Sequence, residues 1–168
     1  MHNWKVMKIY LFFVALIFSS QCHSELVSDR GVMGVVIGMP VDIAMSKLEG
    51  YISTEKEYDE GWGCYELINP KNLELPAFFI GDEKVTSIQV TGVTEKTERG
   101  IGIGSTKQEI YQVYDVVKVE PHKYYSVGEY LLVNLSNGNG LHFETKNNIV
   151  TSFHLTDSPE SIMVEGCL

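Results

Sequence analysis

Short runs of apolar and aromatic residues recur along this chain, and in the last two of them apolar and polar residues alternate with the two-residue period of β-strands. Segments rich in Ile, Val, Phe, Tyr and Thr are separated by short clusters of Gly, Asn, Asp and Pro, a pattern typical of antiparallel strands joined by turns. No helical pattern of ten residues separates successive strands, which argues against a parallel nucleotide-binding sheet. The predicted strands lie near 51–58, 62–69, 75–80, 84–91, 116–120, 129–136, 140–145 and 149–156.

Two short segments have helical spacing instead. In the first, Pro40 stands at the expected first helical position and Gly50 ends the helix. In the second, Ser105 is the predicted N-cap, and Gln108 three residues later completes a capping box. The apolar stripes are Val41, Ala44, Met45 and Leu48 in the first helix, and Ile110, Tyr111 and Tyr114 in the second.

Three sequence blocks recur in the same order at nearly constant spacing. We therefore predict an α+β fold of two tandem repeats, repeat 1 over 31–93 and repeat 2 over 97–157, followed by a C-terminal tail. In each repeat a short helix precedes antiparallel strands, and we expect one continuous sheet with both helices on one face. The blocks at 34–38, 63–69 and 85–90 return at 100–104, 128–134 and 150–155.

The start of the chain has the pattern of a secretory signal peptide. Lys5 and Lys8 precede an apolar run over 9–18, and small or polar residues follow. The apolar run has about half of the ~20 residues that a membrane helix needs. We therefore predict that 1–24 is removed and that 25–168 is a single periplasmic or secreted domain without stable membrane insertion.

The cleavage site leaves two alternatives open. Cleavage after Ser24 and cleavage after Cys22 both satisfy the small-residue rule. Lipidation of Cys22 is the rival interpretation, but Gln21 and Ser19 occupy the positions where a lipoprotein signal has a small residue and a Leu-like residue.

Charge and cysteine content limit the partners and the compartment. The full chain has 13 basic and 22 acidic residues, and the net charge of −9 falls to −11 without 1–24. This charge repels nucleic acid and anionic membranes and favours a basic protein partner. The two cysteines that remain, Cys64 and Cys167, predict one disulfide in an oxidising compartment.

No catalytic or phosphate-binding motif is visible in the sequence, so we predict a protein that is not an enzyme and has no cofactor. Gly-x-Ser-x-Gly and the P-loop motif are absent. Gly100, Gly102 and Gly104 precede a helix, but backbone geometry explains them without a phosphate.

Three residues have the composition of a metal site. In a hairpin that pairs residues whose numbers sum to 296, His142 faces His154, with Glu144 on the same polar face. A two-residue turn at Asn147 and Asn148 would break this pairing. Surface histidines on neighbouring strands are common without metal, so we predict no metal and keep these three residues as weak candidate ligands.

Two aromatic loops are the candidate binding sites. Exposed Tyr and Trp are frequent energetic anchors of protein interfaces. The alternative is that Trp62 covers the core. The candidate binding residues are Tyr58, Asp59, Glu60 and Trp62 in the first loop, and Tyr124 and Tyr125 in the second.

The sequence Ile37-Gly38-Met39-Pro40, followed by Ala44 and Leu48, resembles the duplicated helix-plus-sheet units of beta-lactamase inhibitor protein and the related unit of small outer-membrane-assembly lipoproteins. The second copy is Ile103-Gly104-Ser105-Thr106, followed by Ile110 and Tyr114. This resemblance implies a non-enzymatic binding protein. We therefore expect an exported inhibitor or immunity-type protein against a basic envelope-acting enzyme such as a peptidoglycan hydrolase. The alternatives are an envelope assembly or scaffolding component, and a small-ligand or metal-binding module.

Overall fold

The structure, a computed structural model, describes residues 26–54 and 64–158 and is mostly β, with 47% strand and 11% helix. The predicted signal segment 1–24 lies outside these residues. The two helices are α1 (Val41–Lys47) and α2 (Lys107–Val113). The strands are β1 (Leu26–Val27), β2 (Gly31–Val32), β3 (Val35–Val36), β4 (Ile52–Ser53), β5 (Cys64–Ile68), β6 (Ala77–Gly81), β7 (Lys84–Val90), β8 (Lys96–Thr97), β9 (Val116–Pro121), β10 (Gly128–Asn134), β11 (Gly140–Lys146) and β12 (Ile149–Thr156).

One eight-stranded sheet dominates the fold. Its strand order is β4-β5-β6-β7-β12-β11-β10-β9, and every neighbouring pair is antiparallel. Two small two-stranded sheets, β1-β8 and β2-β3, lie outside it.

The predicted α+β fold of two tandem helix-plus-strand repeats is wrong. The chain forms one large antiparallel sheet and not a repeated helix-plus-strand unit. Each helix has seven residues, or about 10 Å at 1.5 Å per residue, so neither forms a helical layer. The sheet's two edges also differ, because β4 has two residues and β9 has six.

The core lies on one face of the sheet. Residues that share a row across neighbouring strands are fully buried there, and Ala44 of α1 and Ile110 of α2 pack into the same cluster. The burial of Ala44 and Ile110 confirms these two positions of the predicted apolar stripes, whereas Tyr111 of the second stripe is exposed. The row consists of Leu67, Phe78, Ile88, Leu155, Leu141 and Val133.

A β-bulge preserves the predicted pairing of the last hairpin. The turn has two residues, Asn147 and Asn148, both with positive φ, as a tight hairpin requires. His142 nevertheless lies opposite His154, because the register shifts by one residue between Glu144 and Thr145. The expectation that a two-residue turn would break this pairing was therefore wrong.

Both helix starts are displaced by one residue from the prediction. Thr106, and not Ser105, is the N-cap of α2, and its hydroxyl accepts a hydrogen bond from the Glu109 backbone at 3.2 Å. The Glu109 carboxylate accepts one from the Thr106 N–H at 2.6 Å, which completes the capping box. Pro40 precedes α1 and is not its first helical residue.

Candidate binding surface

The loop between β9 and β10 presents aromatic and apolar side chains to solvent. Tyr124 is 58% exposed, Tyr125 is 48% exposed and Val127 is 54% exposed. Backbone bonds fix this loop, because Gly128 donates to the Tyr125 carbonyl at 3.0 Å and His122 donates to the Gly128 carbonyl at 3.0 Å. The predicted binding residues of this loop are therefore on the surface and are held in place.

The β11–β12 turn lies against this loop. The Asn147 N–H donates to the Val127 carbonyl at 2.9 Å. The Lys146 ammonium lies 4.4 Å from the centroid of the Tyr125 ring, within the range of a cation–π contact. These contacts join the two segments into one surface.

The start of α2 extends the same surface. The Lys107 N–H donates to the Asn148 carbonyl at 2.8 Å, and Lys107 forms an ion pair with Glu129. Ile149 and Tyr111 remain exposed beside it. A groove of about 480 Å³ follows this junction, and its lining residues are Thr106, Lys107, Gln108, Tyr111, Asn148 and Ile149. We call Tyr111, Tyr124, Tyr125, Val127 and Ile149 the end surface.

A row of rings crosses the other face of the sheet and reaches the end surface. Successive ring centroids are 5.8, 6.2, 4.9, 4.5 and 4.6 Å apart. Such distances are typical of packed aromatic pairs. The rings, in order, are Phe79, His154, His142, Tyr130, His122 and Tyr125.

The two central histidines are buried, which corrects the expectation that they lie on the surface. Both are only 5% exposed. Burial lowers the pKa of His142 to about 4 and that of His154 to about 3, because the charged imidazolium loses its hydration. Ser87 Oγ lies 3.3 Å from His154 Nδ1, whereas His142 Nδ1 has no hydrogen-bond partner among the described residues.

The third candidate ligand has a different partner. The Glu144 carboxylate accepts a hydrogen bond from Ser152 Oγ at 2.7 Å. Within 26–54 and 64–158, no group of three His, Cys, Asp or Glu side chains has an arrangement that could hold a metal ion. The structure therefore does not bring His142, His154 and Glu144 together as a metal site.

The other predicted site residues fall largely outside the described part of the chain. Tyr58, Asp59, Glu60, Trp62 and Cys167 lie outside the described residues 26–54 and 64–158, so their roles stay predictions. Cys64 is disulfide-bonded, but neither other cysteine is described, and its pairing with Cys167 also stays a prediction.

Sequence reasoning missed three members of the end surface. Tyr111 was assigned to an apolar helical stripe, but it is 48% exposed. Val127 and Ile149 each lie next to a turn, and an apolar residue in such a position is the signal that would have revealed them.

Comparison with known proteins identifies the fold but no family. No family model and no curated protein matches this sequence. The structure is similar to an extracellular protein containing an SCP domain from Bacillus anthracis str. Ames, with a TM-score of 0.54 and 13% identity over 74% of this chain and 45% of that chain. It is also similar to the uncharacterized protein yfeY from Escherichia coli, with a TM-score of 0.53 and 13% identity over 77% of this chain and 98% of that one.

These similarities show the fold alone. The chain spans less than half the length of the Bacillus protein. Neither neighbour is a beta-lactamase inhibitor or an assembly lipoprotein, so that resemblance stays untested. Among the described residues, no helix is long and apolar enough to cross a membrane.

Proposed function

We propose that this chain is an exported protein-binding module and that the end surface contacts its partner. The observation that carries the proposal is that the loop with exposed Tyr124, Tyr125 and Val127 is hydrogen-bonded to the β11–β12 turn, which leads into the groove lined by Ile149 and Tyr111. Adjacent exposed apolar and aromatic side chains are typical of protein interaction sites.

The hydrogen bonds within the end surface support this role. The Val127 carbonyl accepts a hydrogen bond from the β11–β12 turn, and the Lys107 N–H donates one to the Asn148 carbonyl. The aromatic side chains therefore project from an ordered backbone. Binding of a partner then costs less free energy, because the loops are already ordered. Tyr side chains add large contact areas at a low cost in side-chain entropy.

The proposed partner is a basic protein, and the finer proposal is an inhibitor or immunity-type role against a basic envelope-acting enzyme. The net charge of −9 supports electrostatic attraction to such a partner. One structural neighbour is an extracellular protein, which is compatible with an exported role.

The test is affinity capture of proteins from an envelope extract, followed by binding kinetics with the purified partner. We expect Tyr125→Ala to raise the dissociation rate about 30-fold, since an aromatic anchor contributes ~2 kcal/mol or more. Leu73→Ala is the matched control, because Leu73 is exposed but lies in the connection between β5 and β6. Higher salt should slow association of both variants equally.

An unchanged dissociation rate for folded Tyr125→Ala and Tyr111→Ala would reject the end surface as the contact region. A partner that binds equally fast at low and high salt would reject electrostatic attraction to a basic protein.

A further inference from the structure

Among the described residues, β9 is the last strand of the eight-stranded sheet, and no other strand pairs with its outer edge. It ends the strand order of the eight-stranded sheet, and its six residues contrast with the two of β4 at the opposite edge. Val117 and Val119 are both more than 40% exposed. Such an edge presents backbone groups that can pair with another strand.

The hydrogen bonds to β10 show which backbone groups face outward. His122 donates to Gly128, and the pairing continues in register with Glu120 opposite Tyr130 and Lys118 opposite Leu132. Backbone groups alternate direction along a strand, so those of Val119 point away from β10. The backbone of Pro121 also points away from β10, and proline has no N–H group that could remain unpaired there.

The side chains on this edge are complementary to themselves. Lys118 and Glu120 are two residues apart, so both lie on one face of the strand, and they form an ion pair at 2.8 Å with nearly half of each side chain exposed. Val119 lies between them on the other face.

We propose that a second copy of this chain pairs with β9 in an antiparallel arrangement centred on Val119. The two Val119 residues then exchange two backbone hydrogen bonds. Lys118 of each copy lies opposite Glu120 of the other, which gives two cross-strand pairs of opposite charge.

Other registers are less favourable. A register centred on Lys118 or on Glu120 places identical charges opposite each other, which destabilises strand pairing. A shift by a single residue aligns an outward-facing residue with an inward-facing one, and the hydrogen bonds are lost. Lys and Pro on an edge usually discourage pairing, but in the Val119-centred register the lysine meets a carboxylate.

The test is sedimentation equilibrium of the full exported chain. The paired area is small, so we expect a weak dimer and would measure from about 1 µM to about 1 mM protein. Lys118→Glu and Glu120→Lys each place like charges across the strand pair and should raise the dimer dissociation constant by about tenfold or more. Lys71→Glu and Glu49→Lys are controls with the same charge changes at exposed positions outside β9.

The decisive experiment is to mix the two variants. Lys118→Glu and Glu120→Lys chains in one solution form mixed pairs in which both cross-strand contacts are again between opposite charges. Dimerisation should therefore return in the mixture, although each chain retains its own repulsion between positions 118 and 120. Val119→Pro should remove the dimer without changing the far-ultraviolet circular dichroism, because the lost N–H faces outward.

A wild-type protein that is monomeric throughout this range would overturn the proposal. So would a dimer that survives both single variants and Val119→Pro, since it would use another surface. Failure of the mixture to dimerise would refute the Val119-centred register. None of these results depends on the partner of the end surface.

Discussion

His142 of β11 lies directly opposite His154 of β12, with ring centroids 6.2 Å apart and both side chains buried. Two imidazoles so close together, away from water, are stable only while they are uncharged. The pair therefore links the stability of the sheet to pH.

We predict that the free energy of unfolding falls as the pH drops from about 7 to about 4. The pKa values of His142 and His154 are lowered in the folded state, to about 4 and about 3, from 6.5. The unfolded chain then binds protons first, so stability is fully present above pH ~6.5 and is lost toward the folded pKa values. By pH 5 the loss should be roughly 2 kcal/mol for each histidine, measured by urea denaturation at several pH values.

His142→Phe provides the comparison. The substitution removes one titrating group and retains an aromatic ring beside Tyr130. The variant should be at least as stable at pH 7, because His142 Nδ1 has no partner to lose among the described residues. Equal pH dependence of the variant and the wild type would show that His142 does not contribute.

Glu83→Gly should stabilise the protein by about 1 kcal/mol. Glu83 is in the β6–β7 turn with a φ of 60°, a left-handed conformation that costs an ordinary residue about 1–2 kcal/mol. Glycine adopts this conformation without that cost. The greater conformational entropy of glycine in the unfolded chain cancels only part of the resulting gain in stability.

The control for this substitution is Asn148→Gly, at a φ of 63° in the β11–β12 turn. Asn tolerates the left-handed region better than Glu, so the gain should be smaller. Thermal denaturation of the two variants gives the comparison, and an equal or larger gain at Asn148 would contradict the explanation.

The sequence was sufficient for the approximate positions of the eight strands of the large sheet and for one register, but not for the four two-residue strands outside that sheet or for the fold class. Alternating apolar residues identified β11 and β12 and the pairing of His142 with His154. The bulge beside Glu144 was missed because strand alternation does not show where an extra residue is inserted. The helical segments were real, but their length of two turns makes them a minor part of a mostly β structure.

The candidate site was only partly predictable. Tyr124 and Tyr125 follow a strand in a polar, glycine-ended loop, so their exposure could be inferred. Tyr111 has helical spacing relative to Tyr114, and spacing alone does not distinguish the buried residue from its exposed neighbour. The burial of His142 and His154 also escaped prediction, because both lie on the polar side of the alternation.

Thr106→Ala should destabilise the protein by about 1 kcal/mol. The substitution removes the hydroxyl that accepts the Glu109 N–H and leaves a helix-end donor without this partner. Thr106→Ser retains the hydroxyl and should lose less than half as much stability. Urea denaturation of both variants is the measurement, and an equal loss in the two would attribute the effect to the lost methyl group.

Reduction should lower the stability of the exported protein, because we expect Cys64 to pair with Cys167. Cys64 lies in β5, so this bond would tie the end of the chain to the second strand of the large sheet. The closed loop has about 100 residues, for which the chain-entropy model gives up to ~4–5 kcal/mol.

Peptide mapping without reduction should yield a Cys64–Cys167 cross-link. Cys64→Ser and Cys167→Ser should each abolish the effect of reductant on the melting temperature. A reductant effect that persists in Cys167→Ser would contradict this pairing, and a Cys22–Cys64 cross-link in the peptide map would show that Cys22 is retained.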